Sequence, residues 1–358
     1  MHILLTSDAV GGVWTYTLAL AQALQRLHVS CTILVLGPAP SSAELKRARS
    51  IGLNIICEQA PLEWTASSES DLQQSASIIE AVARKCSAQS IHLHSPAFAA
   101  FNPQIPCVAV NHSCVATWWH VMRQGPLPED LAWRAELNRM GMLTCDELIV
   151  PSQSYAQLVQ EVYDLPKLPL VIHNGIEIES TRSCRNSAAF IFCAGRLWDE
   201  AKNIASLDEI AGLMHHEIHV AGALASPLGG DVGFHHLHSM GNCSWQVVQA
   251  LLALQPIYIS PALFEPFGLS VLEAASHGCA LVLNDIPTFR ELWEGAAIFV
   301  DLADQAYVSK LLEALLEDVP RCQEMGDIAR RHASRYSLQA CAQSVFAIHH
   351  ELQSEAVL

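Results

Sequence analysis

The feature that most constrains the fold is a repeated alternation of apolar runs, glycine turns and amphipathic segments. Residues 2–7 have the pattern of a buried strand, Gly11 and Gly12 follow as a turn, and Val13–Leu27 has helical spacing. A second apolar run at Ser30–Leu36 completes the unit. Such units align their strands in parallel, so the first half is predicted to be a Rossmann-like domain. Its further strands are predicted at Ser90–His94, Cys107–Asn111 and Glu147–Val150, with Ser152 capping the next helix.

The alternation starts again after a break marked by turn signals. Pro166 and Pro169 interrupt helical periodicity, and Asn174 with Gly175 forms a turn signal, so we place a hinge there. Because 358 residues exceed what one hydrophobic core holds, we predict domains at 1–170 and 171–335 and a closing helix at 336–358. Strands of the second Rossmann-like domain are predicted at Phe190–Ala194, Glu217–Ala221, Ile257–Ser260, Ala280–Leu283 and Ala297–Val300.

Charge and cysteine content exclude several classes of function. The chain carries 36 acidic against 20 basic residues. This excess of negative charge disfavours binding to nucleic acid, and it also disfavours association with an anionic membrane. The start of the sequence lacks a signal-peptide pattern, and no apolar run is long enough to span a membrane, so a cytoplasmic location is expected. Twelve cysteines without a CxxC pair fit reduced thiols better than a disulfide framework.

The segment from Phe264 to Ala274 combines an anion site with two carboxylates. A helix predicted to begin near Gly268 turns the amides of Gly268 and Leu269 toward a ligand, and helix N-termini favour phosphate. Glu265 precedes this helix and Glu273 lies within it. Carboxylates do not bind phosphate, but they accept hydrogen bonds from sugar hydroxyls. Taken alone, such a pair of glutamates is more often a loop charge and a solvated helix residue.

A second element strengthens the functional interpretation. Gly195 and Arg196 follow a predicted strand, and Lys202 comes six residues after Arg196. Ligands of open α/β sheets bind at the carboxyl ends of the strands, so these two cations can neutralise a diphosphate there. In a chain this acidic, two cations opposite an anion-binding helix indicate a site.

These motifs together resemble the signature of the family-four retaining glycosyltransferases of the GT-B fold, also known as group 1. The pattern is Glu265 and Glu273 with seven residues between them, together with Gly-Arg at 195–196 and Lys-Asn at 202–203. The resemblance extends to the segments around Gly12, His112 and Asn174. It implies an α/β chain with two Rossmann-like domains facing each other across a cleft, and a C-terminal helix that crosses back to the first domain.

The resemblance also implies a reaction and a set of roles. A hexose would pass from a nucleoside-diphosphate sugar, most readily a UDP-sugar, to a hydroxyl acceptor with retention of configuration and without a metal or other cofactor. Arg196 and Lys202 would stabilise the departing diphosphate, Glu265 would hold the sugar hydroxyls, and His112 would lie near the reaction centre. The remaining donor-binding residues would be Gly11, Gly12, Asn174, Gly195, Met240, Gly241, Phe267, Gly268, Leu269, Ser270 and Glu273.

Two further clusters carry weaker signals. Trp118, Trp119 and Arg123 follow the His112 segment and are candidates for stacking on an acceptor sugar, with a buried anchor as the simpler interpretation. Several histidines suggest metal binding: His92 and His94 on one strand, and a second group at 215, 216, 219, 235, 236 and 238. We find no Cys, Asp or Glu partner at ligand spacing, so no metal site is predicted.

Other functions remain open from the sequence alone. A nucleotide-sugar epimerase or a phosphorylase could use the same two-domain fold, although a pyridoxal phosphorylase needs a lysine and only Lys202 and Lys310 occur after residue 170. A binding module without turnover is a third possibility, which the presence of all four charged donor residues disfavours.

Overall fold

The computed structural model describes residues 1–9, 11–123, 125–177, 190–226 and 229–355. The chain divides into two compact units, the first comprising Met1–Glu177 with Leu338–Leu358 and the second Ile178–Ser337. The first unit therefore includes residues 171–177, which the sequence analysis assigned to the second domain. The reason is that Leu170–Val171 forms a short strand paired with Glu147–Val150 in the first sheet.

Unit 1 contains a seven-stranded parallel sheet in the order β3-β2-β1-β4-β5-β6-β7. Its strands are β1 (His2–Ser7), β2 (Ser30–Leu36), β3 (Asn54–Glu58), β4 (Ser90–Leu93), β5 (Cys107–Val110), β6 (Glu147–Val150) and β7 (Leu170–Val171). Its helices are α1 (Gly12–Arg26), α2 (Ser42–Ser50), α3 (Glu69–Lys85), α4 (Val115–Met122), α5 (Glu129–Thr144), α6 (Gln153–Tyr163) and, from the end of the chain, α13 (Leu338–Glu355).

The C-terminal helix α13 is part of the core of unit 1. Leu338, Cys341 and Val345 are buried in one cluster with side chains of α1 such as Leu20. The backbone N–H of Leu338 also donates to the carbonyl of Ile176, 2.9 Å away. Burial of this apolar face is the main contribution that holds the helix on unit 1, since hydrophobic burial dominates such packing.

Unit 2 contains a six-stranded parallel sheet in the order β10-β9-β8-β11-β12-β13, the same winding as the first six strands of unit 1. Its strands are β8 (Ile191–Ala194), β9 (Ile218–Ala221), β10 (His238–Ser239), β11 (Ile257–Ser260), β12 (Ala280–Asn284) and β13 (Ile298–Val300). Its helices are α7 (Ile204–Ala211), α8 (Trp245–Leu252), α9 (Leu269–His277), α10 (Pro287–Trp293), α11 (Gln305–Glu317) and α12 (Val319–Ala333). In each unit the order reverses beside the first strand, the switch point at which open α/β sheets bind ligands.

Two further findings concern the cysteines and the lengths of the helices. The eleven cysteines within the described residues form no disulfide. Across the same residues, no helix is both long and apolar enough to cross a membrane.

Candidate active site

The loops that leave β8 and β11 are joined at the carboxyl edge of the sheet in unit 2. The backbone N–H of Leu263 donates to the carbonyl of Ala201 at 2.8 Å, which brings the two loops together. As a result, Lys202 Nζ forms an ion pair with Glu265 Oε2. The two side chains are only 21% and 14% exposed. Two residues predicted to act on different parts of one ligand are therefore in direct contact.

Arg196 has an acidic partner that the sequence analysis missed. Its Nη2 lies 2.7 Å from Asp199 Oδ2, and its Nε lies 3.2 Å from the same oxygen. The other carboxylate oxygen of Asp199 accepts from the backbone N–H of Ala201 and caps the short 3-10 helix Glu200–Lys202. Asp199 thus fixes Arg196 and the turn that carries Lys202. Its position directly before a helical turn was the available signal.

Gly268 forms the N-cap of α9 with φ +90°. A Cβ there would lie 3.1 Å from Phe289 and 3.3 Å from Glu265, so both the backbone angle and the space favour glycine. Glycine supplies no side chain to cap the first N–H groups of α9, those of Leu269 and Ser270. Such a helix end binds anions through its amides and its dipole.

Tyr258 links the loop after β8 to the start of α9. Its ring is buried, and its hydroxyl donates to the carbonyl of Ala194 at 3.2 Å. The same hydroxyl is hydrogen-bonded to the side chain of Ser270, and burial raises its pKa well above the usual value, so the phenol stays neutral. Tyr258 lies on a strand that the sequence predicts, but no local pattern indicates its role.

Glu273 lies on α9 with its carboxylate hydrogen-bonded to the side chain of Trp245. Burial raises the pKa of this carboxyl to about 7, and the hydrogen bond from Trp245 acts in the opposite direction. Glu273 therefore changes charge near neutral pH, unlike an ordinary glutamate.

Phe267, a predicted donor-binding residue, has its side chain directed into the protein interior. Its ring is buried and packs edge to face against Tyr336, with ring centroids 5.8 Å apart. The side chain is thus part of the core of unit 2. A donor could meet Phe267 only through its backbone.

Gly222 is a third residue to which the sequence assigned no role. A Cβ on Gly222 would lie 1.7 Å from the carbonyl oxygen of Gly195, and its φ of +153° also favours glycine. Its N–H donates to the carbonyl of Gly241 at 2.8 Å. Gly222 therefore joins two predicted donor-binding glycines, whereas at Gly195 itself a Cβ would meet open space. A glycine directly after a predicted strand was the signal.

Unit 1 repeats the arrangement of a glycine at a helix start. Gly11 is the N-cap of α1 with φ +88° and has no capping side chain, and Gly12 is the first residue of the helix. Val10, within the same predicted loop, lies outside the described residues. Asn174 is buried in the segment that follows β7.

His112 belongs to a buried chain of histidines in unit 1. Its Nε2 lies 2.8 Å from His94 Nδ1, and its ring packs edge to face on Tyr16. His92 packs against His94 and bonds to His349 of α13 at 3.1 Å, and His349 in turn bonds to Ser90 at 2.8 Å. Burial lowers the pKa of His112 to about 4 and that of His349 to about 3, so these rings are neutral at pH 7.

The three acceptor candidates lie together around α4. The guanidinium of Arg123 stacks over Trp118 at 4.7 Å from the ring centroid and lies 6.0 Å from that of Trp119. Trp118 and Trp119 are themselves neighbours, with centroids 6.4 Å apart. A cation held over an indole is a stable pair in its own right, so this cluster fits a structural anchor as well as a sugar platform.

Comparison with known families decides the identity of the chain. The model described as Glycosyltransferase Family 4 matches residues 10–180, and the one described as Glycosyl transferases group 1 matches residues 233–332. The chain is a group 1 glycosyltransferase. These matches confirm the family that the sequence resemblance predicted. The enzymatic activity of this glycosyltransferase is the transfer of a sugar.

Solved structures confirm the GT-B fold of the glycosyltransferase. Sucrose-phosphate synthase from Thermosynechococcus elongatus has a TM-score of 0.81 at 16% identity, covering 99% of this chain and 100% of that one. HepE of Anabaena in complex with UDP-glucose has a TM-score of 0.73 at 16% identity, covering 98% and 100%. A glycosyltransferase from Rickettsia africae has a TM-score of 0.71 at 14% identity, covering 98% of each chain. Among curated proteins, no sequence matches significantly.

Two histidines of the second half have a carboxylate neighbour that was not identified from the sequence. The sequence analysis found no carboxylate at ligand spacing from the histidines of the second half. The structure places Glu217 Oε2 4.0 Å from His219 Nε2 and 3.9 Å from His238 Nδ1. Glu217 and His219 are two residues apart in the sequence, but His238 joins them only through strand pairing over 19 residues, so the group of three is not evident from local spacing.

Proposed function

We propose that the enzyme is a retaining, metal-independent hexosyltransferase that uses a nucleoside-diphosphate sugar, with UDP as the nucleotide. The observation that carries the proposal is the contact between Lys202 and Glu265 beside the N-terminus of α9. It brings a cation suited to a diphosphate next to a carboxylate suited to sugar hydroxyls, which is the combination that a nucleotide sugar presents.

The leaving diphosphate is stabilised by fixed positive groups in this proposal. Arg196 is 46% exposed and keeps guanidinium N–H groups beyond those bonded to Asp199. Lys202 and the amides of Leu269 and Ser270 supply the rest. Preorganised donors of this kind stabilise charge that develops in the transition state, which is the function that a divalent ion serves in other transferases.

The sugar and ribose are held by the two glutamates in this proposal. Glu265 accepts from sugar hydroxyls and Glu273 from the ribose, since ionised carboxylates form strong hydrogen bonds with hydroxyls. UDP is proposed because HepE, which shares the fold, is described with UDP-glucose.

Unit 1 is proposed to bind the hydroxyl acceptor, with His112 near the reaction centre. The hydrogen bond from or to His94 holds Nε2 of His112 and so fixes the orientation of that ring. A cytoplasmic location is proposed because the described cysteines are all free, as is usual in a reducing compartment.

Transfer assays with purified protein test the proposal. The wild type is screened with UDP-, GDP- and ADP-sugars against a panel of saccharide and small-molecule acceptors in the presence of EDTA, and proton NMR reports the anomeric configuration of the product. Lys202→Ala is expected to lower kcat by about 10²–10³-fold, the usual effect of removing one group that stabilises developing charge. Lys310→Ala, a change at an exposed lysine, is the matched control and should leave kcat unchanged.

Other results would contradict the proposal. Full transfer by Lys202→Ala or by Glu265→Ala would remove the basis for the donor site. Isomerised sugar formed from donor alone would indicate an epimerase. Inversion at the anomeric carbon, or loss of activity with EDTA that Mg²⁺ restores, would contradict the retaining or metal-independent part.

A further inference from the structure

A cluster of two histidines and a glutamate lies on the edge strand β10 of unit 2 and on its neighbour β9. Glu217 directly precedes β9 and His219 is two residues further along, so their side chains share one face of the strand. His238 begins β10 and is the register partner of His219. Their ligand atoms all lie within 4.8 Å of one another, and no other group of three such residues meets this criterion within the described chain.

The distances suit a small ion after a minor adjustment of side chains. A tetrahedral zinc ion with bonds of about 2.1 Å separates its ligand atoms by about 3.4 Å. The observed separations from Glu217 Oε2 are 4.0 Å to His219 and 3.9 Å to His238, so rotations of the side chains would close the gap. The exposed side chains of Glu217 and His238 leave solvent to complete the coordination.

The ring of His219 is held and prepared for ligation. Phe190 packs against it at a centroid distance of 5.6 Å with the rings perpendicular, and the ring of His238 lies 4.8 Å away. These ring contacts fix the orientation of the His219 imidazole beside Glu217 and His238.

We propose that Glu217, His219 and His238 form a binding site for a divalent transition-metal ion of the zinc class. Two imidazoles and one carboxylate suit Zn²⁺, whereas Mg²⁺ and Ca²⁺ prefer oxygen ligands. The site is separate from the residues proposed to bind the diphosphate, because Glu217 lies at the amino end of β9 and Arg196 follows the carboxyl end of β8. It is thus compatible with transfer that needs no metal.

The bound ion would fasten a weakly held edge strand. Strand β10 has only two residues, His238–Ser239, and both are exposed. It leads directly into Met240 and Gly241, whose backbones bond to Val220 and Gly222. An ion shared between β9 and β10 would therefore stabilise unit 2 by mass action, since it binds the folded state.

Calorimetric titration of the whole protein with Zn²⁺ tests the site, with thermal unfolding as a second readout. The variants are His219→Gln and His238→Gln, and His235→Gln is the matched control because it changes an exposed histidine of the same segment outside the cluster. We expect one Zn²⁺ per chain for the wild type and the control, with a rise in Tm on adding zinc. Each ligand variant should raise the Kd for Zn²⁺ by more than about tenfold. Even residues that only hydrogen-bond to metal ligands change metal affinity by about 10–100-fold.

Binding of Zn²⁺ by both ligand variants with the wild-type stoichiometry and Kd would overturn the proposal, and so would absence of binding by the wild type. A Kd raised by His235→Gln as much as by the ligand variants would place the ion elsewhere and would also overturn the proposal. None of these readouts measures transferase activity, so the result is independent of the donor-site proposal.

Discussion

The hydroxyl of Tyr258 donates a hydrogen bond to the backbone carbonyl of Ala194 across 3.2 Å. Ala194 is the last residue of β8, directly before Gly195 and Arg196. Since Tyr258 also bonds to Ser270 in the first turn of α9, one buried phenol connects the two segments proposed to bind the diphosphate. Tyr258 is thus a positioning residue for Arg196 and the start of α9.

Tyr258→Phe keeps the aromatic ring and removes only the hydroxyl, with its hydrogen bonds to Ala194 and Ser270. We expect a loss of about 1–2 kcal/mol in the free energy of unfolding, the usual contribution of one or two buried hydrogen bonds. The donor KM should rise and kcat should fall, because both anion-binding segments lose their link. Urea unfolding and steady-state kinetics measure the two effects. Tyr307→Phe is the control because Tyr307 is exposed. Wild-type kinetics for Tyr258→Phe would contradict a positioning role.

Gly222 and Gly195 should respond differently to the same added methyl group. Gly222→Ala places a Cβ 1.7 Å from the carbonyl oxygen of Gly195, so the loops after β8 and β9 must separate. Gly195→Ala meets open space. We therefore expect Gly222→Ala to lower the Tm. The variant should also lose the rise in Tm that UDP produces in a thermal-shift assay of the wild type. Gly195→Ala should keep its Tm, so equal Tm values for the two variants would contradict the steric argument.

The sequence predicts most strands with strong apolar runs, but it misses β3, whose apolar core is short, and β10, which has none. Ser30–Leu36, Glu147–Val150 and Ile257–Ser260 appear at their predicted bounds because each is a continuous apolar or buried stretch. By contrast, β10 consists of His238 and Ser239 and carries no hydrophobic signal. It forms only because β9 offers a pairing edge, which no local pattern reveals.

The residues of the candidate site were predicted better than their partners. Lys202 and Glu265 were identified separately, from a loop after β8 and a loop after β11. Their ion pair depends on a hydrogen bond between the loops, over a separation of 63 residues. The same holds for His349, which reaches His92 from a helix 257 positions later in the chain. Contacts of this kind follow from topology and are not encoded in local spacing.

The histidine chain should make unit 1 sensitive to acid. Burial lowers the pKa of His349 to about 3, whereas the unfolded ring titrates near 6.5. The unfolded state therefore binds more protons between these values, and stability falls as the pH drops below 6.5. At pH 5 a single such histidine accounts for a loss of about 2 kcal/mol.

His349→Asn should reduce this acid sensitivity. The measurement is urea unfolding at pH 7.5 and pH 5.0, followed by hydrogen exchange of peptides that cover β4 and α13. The difference in the free energy of unfolding between the two pH values should be smaller in the variant than in the wild type. A destabilisation that is the same at both pH values does not affect this difference. His350→Asn changes the exposed neighbour and should keep the wild-type difference. An unchanged difference in His349→Asn would contradict the assigned pKa.

Glu273 should make both stability and donor binding depend on pH near neutrality. Its pKa is raised to about 7 in the folded protein against about 4.5 in the unfolded chain, so the folded state binds more protons in this window. Its contribution to stability is complete below pH 4.5 and is lost as the pH rises through 7. Glu273→Gln lacks this titration, so the stability of the variant relative to wild type should rise between pH 4.5 and 7 and stay constant above.

Donor binding should show the opposite trend, since the ionised carboxylate is the better acceptor for ribose hydroxyls. With a pKa of about 7, the ionised fraction of Glu273 grows about tenfold between pH 6 and pH 8. The affinity for UDP-glucose, measured by calorimetry, should therefore rise by up to about tenfold over that range in the wild type. Glu273→Gln should bind more weakly at pH 8 and show a flat profile, while Glu294→Gln, at an exposed position, should follow the wild type. A flat wild-type profile would mean that Glu273 does not contact the donor through its charged form.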